Sequence, residues 1–262
     1  MTSNLRVSFL QSIFTITFLL FTANSFSQSP DTASGVGHVS AFVGVTNNGI
    51  SFIPTFSFNK PAGTVILGFG GNRLSFEPDF RFTLDMERGG VAFWWRYKMI
   101  MRKKFKLNVG AHPALDMIPL RDNLTGRETG TLETRRFVAG EFAPVVVLSK
   151  NVNMGIYYMY GYGFQENAPR NAHFLTLNSS ISNIPLFASV TLQLIPQVYY
   201  LAVDQEDGFF FTNTLTLARP GFPLMVQSTI NKTIVSHLTG SKDFQWNLSL
   251  VYVFNREFRW VK

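Results

Sequence analysis

Acidic and basic side chains alternate with apolar ones in the first half of the chain, and they are the residues best suited to chemistry. Carboxylates, guanidiniums, an ammonium and an imidazole can form ion pairs, or they can set the selectivity of a pore for charged solutes. The predicted cluster consists of Glu77, Asp79, Arg81, Arg96, Lys98, His112, Asp116, Arg135 and Glu141. His112 and Asp116 are too far apart to grip one metal ion, so we interpret them as ion-pair members and predict no metal site.

One histidine raises the question of nucleophilic catalysis. His173 lies on an apolar face, and a serine nucleophile needs a base within hydrogen-bond reach. The nearest serine on the same face, Ser179, is about 20 Å away at the rise of an extended strand. Ser228 is a candidate from another segment. We therefore assign no catalytic residue and keep a serine hydrolase as the alternative.

Composition excludes several classes of protein. Charged residues make up 15% of the chain and hydrophobic residues 46%, with 27 phenylalanines and no cysteine. The missing cysteines exclude disulfide scaffolds, cysteine zinc sites and an N-terminal lipid anchor on cysteine. The glycines at 68, 70 and 71 open no helix, which argues against a phosphate cradle. We predict no cofactor.

The elements that position the cluster are predicted from the alternation of side chains. In residues 73–84, Leu74 and Phe76 fall on one face of an extended chain, while Glu77 and Asp79 fall on the other. The pattern recurs in about thirteen segments, with weaker versions at 37–46 and 50–58. A helix would spread these charges around its axis, so the chain is predicted to be all-β.

The N-terminus has the features of an export signal. Arg6 precedes a short apolar run at 13–21, followed by small and polar residues. We predict a cleaved signal peptide at 1–27 and one domain at 28–262. Removal of Arg6 lowers the net charge from +7 to +6.

Strand length and aromatic placement favour lipid as the surroundings of the apolar face. No later stretch is long and apolar enough for a membrane helix, whereas the strands are as long as a tilted strand needs to cross a bilayer. We predict a transmembrane antiparallel β-barrel of about 12 strands, with 10 to 14 possible. Long connections at 120–132, 166–171, 204–208 and 239–243 are expected outside, and tight turns at 102–104, 149–151, 183–185 and 219–223 in the periplasm. The odd segment at 37–46 is expected to pair differently or to lie in the lumen.

Two sets of residues resemble known barrels. Leu248, Leu250, Tyr252 and Phe254 resemble the alternating last strand that the barrel assembly machinery reads, although eight residues follow Phe254 here. The runs at 76–82, 93–98 and 108–115 resemble uncharacterised outer-membrane β-barrel proteins of Bacteroidetes. This resemblance implies the fold and the outer membrane of a Gram-negative cell, and it implies no activity.

The predicted cluster then allows two non-enzymatic roles. It forms either a polar pore for small solutes, mildly favouring anions, or a salt-bridged plug in a structural or accessory barrel of the envelope. The expected partners are outer-membrane lipid, the assembly machinery during insertion and unidentified envelope proteins, and no nucleic acid. In this setting the alternative is an outer-membrane lipid hydrolase or acyl-modifying enzyme using His173.

Overall fold

The computed structural model describes residues 36–51, 53–121, 128–187 and 189–259, so the predicted signal peptide lies outside the described residues. Every element in them is a strand. No helix in this part of the chain is long and apolar enough to cross a membrane. The strands are β1 Val36–Thr46, β2 Ala62–Gly70, β3 Leu74–Thr83, β4 Gly89–Met101, β5 Phe105–Arg121, β6 Glu128–Val147, β7 Val152–Gly163, β8 Asn171–Pro185, β9 Thr191–Val203, β10 Glu206–Ala218, β11 Leu224–Ser236, β12 Phe244–Trp246 and β13 Ser249–Arg259.

The sheet closes on itself. Strands β1 to β11 pair antiparallel with their neighbours in sequence, and β1 pairs with β13 from Val36↔Arg259 to Thr46↔Ser249. Strands β12 and β13 both pair with β11 and are two parts of one wall strand. At the break, the Thr229 N–H donates to the Asn247 side-chain oxygen at 2.8 Å. The result is a closed barrel of twelve wall strands, which confirms the predicted fold class.

The two faces of the wall have opposite character. On β3, Ser75, Asp79 and Thr83 are buried in the lumen, while Leu74 is exposed on the outer surface. Large apolar side chains are exposed on every wall strand, whereas a soluble monomer rarely exposes a contiguous apolar surface around its whole girth. Examples are Val43, Phe69, Leu74, Trp95, Leu120, Phe142, Ile156, Leu177, Val198, Phe209, Val226 and Leu250. A closed sheet with an apolar exterior leaves no unpaired backbone edge in lipid. The protein is an outer-membrane β-barrel.

Connections differ between the two ends of the barrel. The turn end carries both ends of the described wall and the connections 71–73, 102–104, 148–151, 186–190 and 219–223. The loop end carries the connections 47–61, 84–88, 164–170 and 237–243, together with the tight turn between β9 and β10.

The predicted connections fall at the two ends as expected, but some of their bounds were wrong. Strands β9 and β10 are joined by a two-residue turn at 204–205 and not by a long loop at 204–208, and residues 183–185 end β8, so that turn lies at 186–190. Residues 120–121 and 128–132 of the predicted loop 120–132 belong to β5 and β6, and 122–127 lie outside the described residues. Under the rule for such barrels the turn end would face the periplasm, which stays a prediction.

The front of the chain differs from the prediction in two ways. The strand predicted at 37–46 is present as β1, but it pairs on both sides, with β2 and with β13, and closes the barrel instead of lying in the lumen. The described part of 50–58 is not a wall strand, since its only ladder contact is an isolated bridge between Ile50 and Ser57. The segment that enters the lumen is therefore 50–58, within the connection from β1 to β2.

Candidate functional site in the barrel lumen

Arg96 on β4 is the centre of an ion-pair network on the lumen wall. Its guanidinium contacts Glu77 on β3 and donates to Glu141 on β6 at 2.7 Å. The Tyr157 hydroxyl on β7 donates to the other Glu141 oxygen at 2.7 Å. The register places Gly110 opposite Glu141, and a Cβ at this glycine would meet the carboxylate at 2.6 Å. The network joins four strands and satisfies a buried carboxylate.

His112 does not belong to an ion pair, contrary to the prediction. Its ring lies against Trp94, with the ring centroids 3.6 Å apart, and its Nδ1 has no hydrogen-bond partner. The Arg96 guanidinium also lies over the Trp94 ring, 4.2 Å from its centroid. Asp116 pairs with Arg135 instead of His112. His112 is therefore held by a ring contact and not by an ion pair.

The remaining members of the predicted cluster have separate roles. Arg81 donates from Nε and Nη2 to Asp79, two residues away on the same face of β3. Its Nη1 donates to the backbone carbonyls of Ile50 and Ser51. Lys98 makes no ion pair within the described residues. Arg81 thus ties a connecting segment to the wall.

The charges of the predicted cluster cancel. Four of its members are acidic and four are basic, leaving His112 aside: Glu77, Asp79, Asp116 and Glu141 against Arg81, Arg96, Lys98 and Arg135. All four carboxylates are in ion pairs. The cluster therefore provides no excess positive charge, and the expected mild preference for anions has no basis in these residues.

The connection 47–61, called the lumen loop below, reaches across to the opposite wall. The buried Thr55 hydroxyl lies 2.7 Å from the Tyr199 hydroxyl of β9, which in turn donates to the Asn231 side chain of β11 at 2.7 Å. The Gln245 amide donates to the Thr55 carbonyl at 2.8 Å. These contacts, together with Arg81 on β3, fix the loop on both sides of the lumen.

An apolar cluster completes the seat of the lumen loop. Ile53 and Phe56 pack against buried side chains of three wall strands and of the connection 237–243. Those side chains are Phe174, Tyr199, Leu201, Phe210 and Leu238. Burying an Ile or a Phe contributes about 1.5 to 3 kcal/mol. Hydrogen bonds and apolar contacts therefore hold the loop inside the barrel without a strand ladder.

The base of the lumen loop is held outside the membrane-spanning wall. The Lys60 ammonium contacts Asp85 at 2.7 Å and also Glu87, both in the connection 84–88. This ammonium, followed by the Thr83 hydroxyl, holds the pKa of Asp85 well below its ordinary value of 3.8. The same pair of carboxylates raises the pKa of Lys60. The three side chains are exposed, so water screens their attraction.

A cavity of about 380 Å³ lies in the lumen beside the loop. Its lining comes from the lumen loop and from inward-facing side chains of β1 to β3 and β9 to β13. Most of the polar groups in this lining are hydroxyls and amides. The chief polar lining residues are Ser51, Thr64, Arg81, Gln197, Thr214, Gln227, Thr229, Asn247 and Ser249. Such a space can hold a small polar molecule in contact with several hydrogen-bonding groups.

Sequence reasoning missed the loop and its anchors. Thr55, Tyr199, Asn231 and Gln245 carry no charge, and nothing in their spacing shows that they meet. Pro54 gave no usable signal, because Pro78 and Pro196 lie inside wall strands.

The Ser–His pair of the hydrolase alternative is not assembled. His173 faces outward, where its Nδ1 lies 2.9 Å from the Tyr158 hydroxyl and its ring lies near Tyr160. The Ser179 hydroxyl donates to the Asn153 carbonyl, and the Ser228 hydroxyl donates to the Asn247 carbonyl. Neither serine is hydrogen-bonded to His173, so these residues give the hydrolase alternative no support, and His173 belongs to an aromatic patch on the outer surface.

The predicted assembly signal lies on the outer face of the seam. Leu248, Leu250, Tyr252 and Phe254 are all exposed there. Strand β13 continues beyond Phe254 to Arg259, paired with β1, so the aromatic does not end the strand. Recognition by the assembly machinery stays a prediction.

Comparisons with known proteins find distant likenesses in structure. No protein-family model and no curated protein matches the chain. The chain is similar to an outer membrane channel from Pseudomonas putida F1, at 14% identity and a TM-score of 0.48, covering 88% of this chain and 98% of that one. It is also similar to the NanC porin, at 13% identity and a TM-score of 0.47, covering 82% and 98%. These distant likenesses assign no function, and membership of a Bacteroidetes family stays a prediction. No cluster of three metal-binding side chains occurs in the described residues.

Proposed function

We propose that this protein is a non-enzymatic outer-membrane channel for small polar solutes, narrowed at its loop end by the lumen loop. The cavity of about 380 Å³ inside the wall carries the proposal. A barrel of eight strands is filled by its own side chains, whereas twelve strands enclose more space. Polar groups line that space, so it suits water and polar solutes.

The attachment of the lumen loop supports a passage that can widen. The loop is held by side-chain contacts from Arg81, Tyr199 and Gln245, together with the small apolar cluster. Because the lumen loop has no strand pairing with the wall, it can move away from these contacts while the barrel stays closed. A salt-bridged scaffold is the competing function, and it predicts a barrel that stays closed.

Conductance in a planar lipid bilayer tests the proposal. The Phe58 N–H donates to the Gly49 carbonyl at 2.8 Å, so an Asn-Gly turn can replace residues 50–57 without stretching the chain. We expect small stepwise conductance from the wild type and several-fold larger steps from the shortened variant. The control is L84S/M86S in the neighbouring connection 84–88, which exposes both side chains to solvent and leaves the loop intact.

Two outcomes would contradict the channel. If the wild type and the shortened variant are both silent although folded, the barrel is a scaffold. If the shortened variant conducts no better than the wild type, the lumen loop does not narrow the passage. Heat-modifiable mobility in gel electrophoresis establishes folding in each case.

A further inference from the structure

Resting on the proposed channel, we infer that the lumen cavity is a binding site for an uncharged, polyhydroxylated solute of about the size of one sugar ring. The inference goes beyond passage because it assigns selectivity to particular side chains of the cavity. These are Thr64, Gln197, Gln227, Asn247 and Ser249, all on wall strands or at the break in the last one.

Several polar groups of this lining keep hydrogen-bonding capacity for a ligand. The hydroxyls of Thr64 and Ser249 have no hydrogen bond within the described residues. Gln197 only accepts, from Thr176, so its amide N–H groups remain for a ligand. Gln227 donates to Thr216 and keeps its carbonyl oxygen. Asn247 accepts from a backbone N–H and keeps its amide donors.

The groups with remaining hydrogen-bonding capacity include both donors and acceptors. A carboxylate group can only accept hydrogen bonds and an ammonium group can only donate them, whereas each hydroxyl group of a sugar does both. Amides and hydroxyls facing one another across a cavity therefore match a ring that carries hydroxyls on several sides. Phe42, Ile66 and Val251 add apolar surface for the carbon skeleton of such a ring.

The one charged lining residue does not favour an ion. Arg81 already pairs with Asp79 at 2.9 Å and donates to two carbonyls of the lumen loop. Its charge is neutralised and its donors are engaged. An ion entering the cavity would lose hydration without gaining a counter-charge, which is costly. An uncharged solute loses less.

Uptake by proteoliposomes tests this selectivity, with D-glucose, D-glucuronate and D-glucosamine as ring-shaped probes of similar size and different charge. We expect glucose uptake by the wild-type protein to saturate with concentration, and to exceed glucuronate and glucosamine uptake at least tenfold. In T64V/Q227L/S249A, we expect the glucose advantage to fall below threefold and saturation to be lost. The single variant T64V, which conserves shape and favours a strand, should show a partial loss.

The control variant is T191V, since Thr191 donates to the Ala218 carbonyl near the turn end and does not line the cavity. It should behave as the wild type. If the wild type conducts ions yet passes the three probes within twofold of one another, the inference is wrong and the channel stands. Preference for glucuronate would likewise overturn it. If neither ions nor probes pass, the channel proposal itself fails.

Discussion

The lumen wall has two halves that satisfy their polar groups in different ways. From β3 to β7, carboxylates and guanidiniums face one another, and Arg96 alone holds Glu77 and Glu141. From β8 to β13, hydroxyls, amides and a buried tyrosine replace the charges. Buried charges must be paired fully, so the first half is fixed by its own contacts. Neutral groups can leave one atom unpaired at less cost, so the second half keeps capacity for a ligand.

The largest effect is expected from breaking the charged half. Arg96→Met leaves two carboxylates without their cation, and the Glu141 side chain is only 2% exposed. Removing one partner of a buried ion pair costs about 3 to 5 kcal/mol. We expect the free energy of unfolding, measured by urea titration in detergent micelles, to fall by that amount.

Lys98→Met is the matched control for Arg96→Met, because Lys98 lies two residues away on the same face without an ion pair in the described wall. It should change stability by less than about 1 kcal/mol. Equal losses for the two substitutions would show that the network does not hold this half together.

A smaller effect is expected from the neutral half. Tyr199→Phe removes the hydroxyl between Thr55 and Asn231, both buried. Leaving buried polar groups unpaired costs about 1 to 3 kcal/mol. The lumen loop should also loosen, which conductance recordings would show as noisier or more frequent large steps.

The control for Tyr199→Phe is Tyr200→Phe. Tyr200 is the next residue on β9, faces outward and donates to Asp207 near the loop end. Its loss should cost about 0.5 kcal/mol or less, as for a solvated contact, and it should leave the conductance unchanged. A noisier conductance trace from Tyr200→Phe than from Tyr199→Phe would show that the Tyr199 hydroxyl does not anchor the lumen loop.

The smallest effect is expected where the loop meets solvent, at Asp85. Because the folded state lowers the pKa of this carboxyl below 3.8, its ion pair with Lys60 stabilises the fold above that pH. This contribution is lost as the pH falls through the folded pKa. Asp85→Asn should therefore lower the urea midpoint slightly at neutral pH, and the difference from the wild type should shrink as the pH falls below 3.8.

Asp243→Asn serves as the control for Asp85→Asn, because Asp243 lies in another loop-end connection and has no ion pair in the described residues. Its midpoint should follow the wild type at each pH. Concentrated salt should also reduce the effect of Asp85→Asn, since the pair is exposed. A difference that grows in acid would contradict the assignment.

Alternation predicted the wall well because it is a local property. Each charged member of β3 faces the lumen as expected, since a strand in a barrel has one face in lipid and one inside. Alternation wrongly predicted a wall strand at 50–58. There Ile53 and Phe56 pack against apolar side chains of the opposite wall, and the segment makes no strand pairing with the barrel. A segment packed inside a barrel can be as amphipathic as one that forms its wall.

Contacts between strands were beyond sequence reasoning. Glu141 meets Arg96 because β6 and β4 flank β5 in a particular register, with Gly110 leaving room between them. The pairing of Asp116 with Arg135 depends on the same register. A shift of the register would exchange every such partner, and local patterns do not determine it. The cluster was predictable as a set, whereas its pairs were not.

The seam between β1 and β13 has a consequence for biogenesis. Thr46 and Leu248, which are hydrogen-bonded across it, are 202 residues apart in the chain. One edge of β1 stays unpaired until β13 is in place. Closure of the barrel is therefore a late step in folding with a large entropic barrier. Until then the newly made polypeptide presents bare strand edges, which can pair with other chains and lead to aggregation.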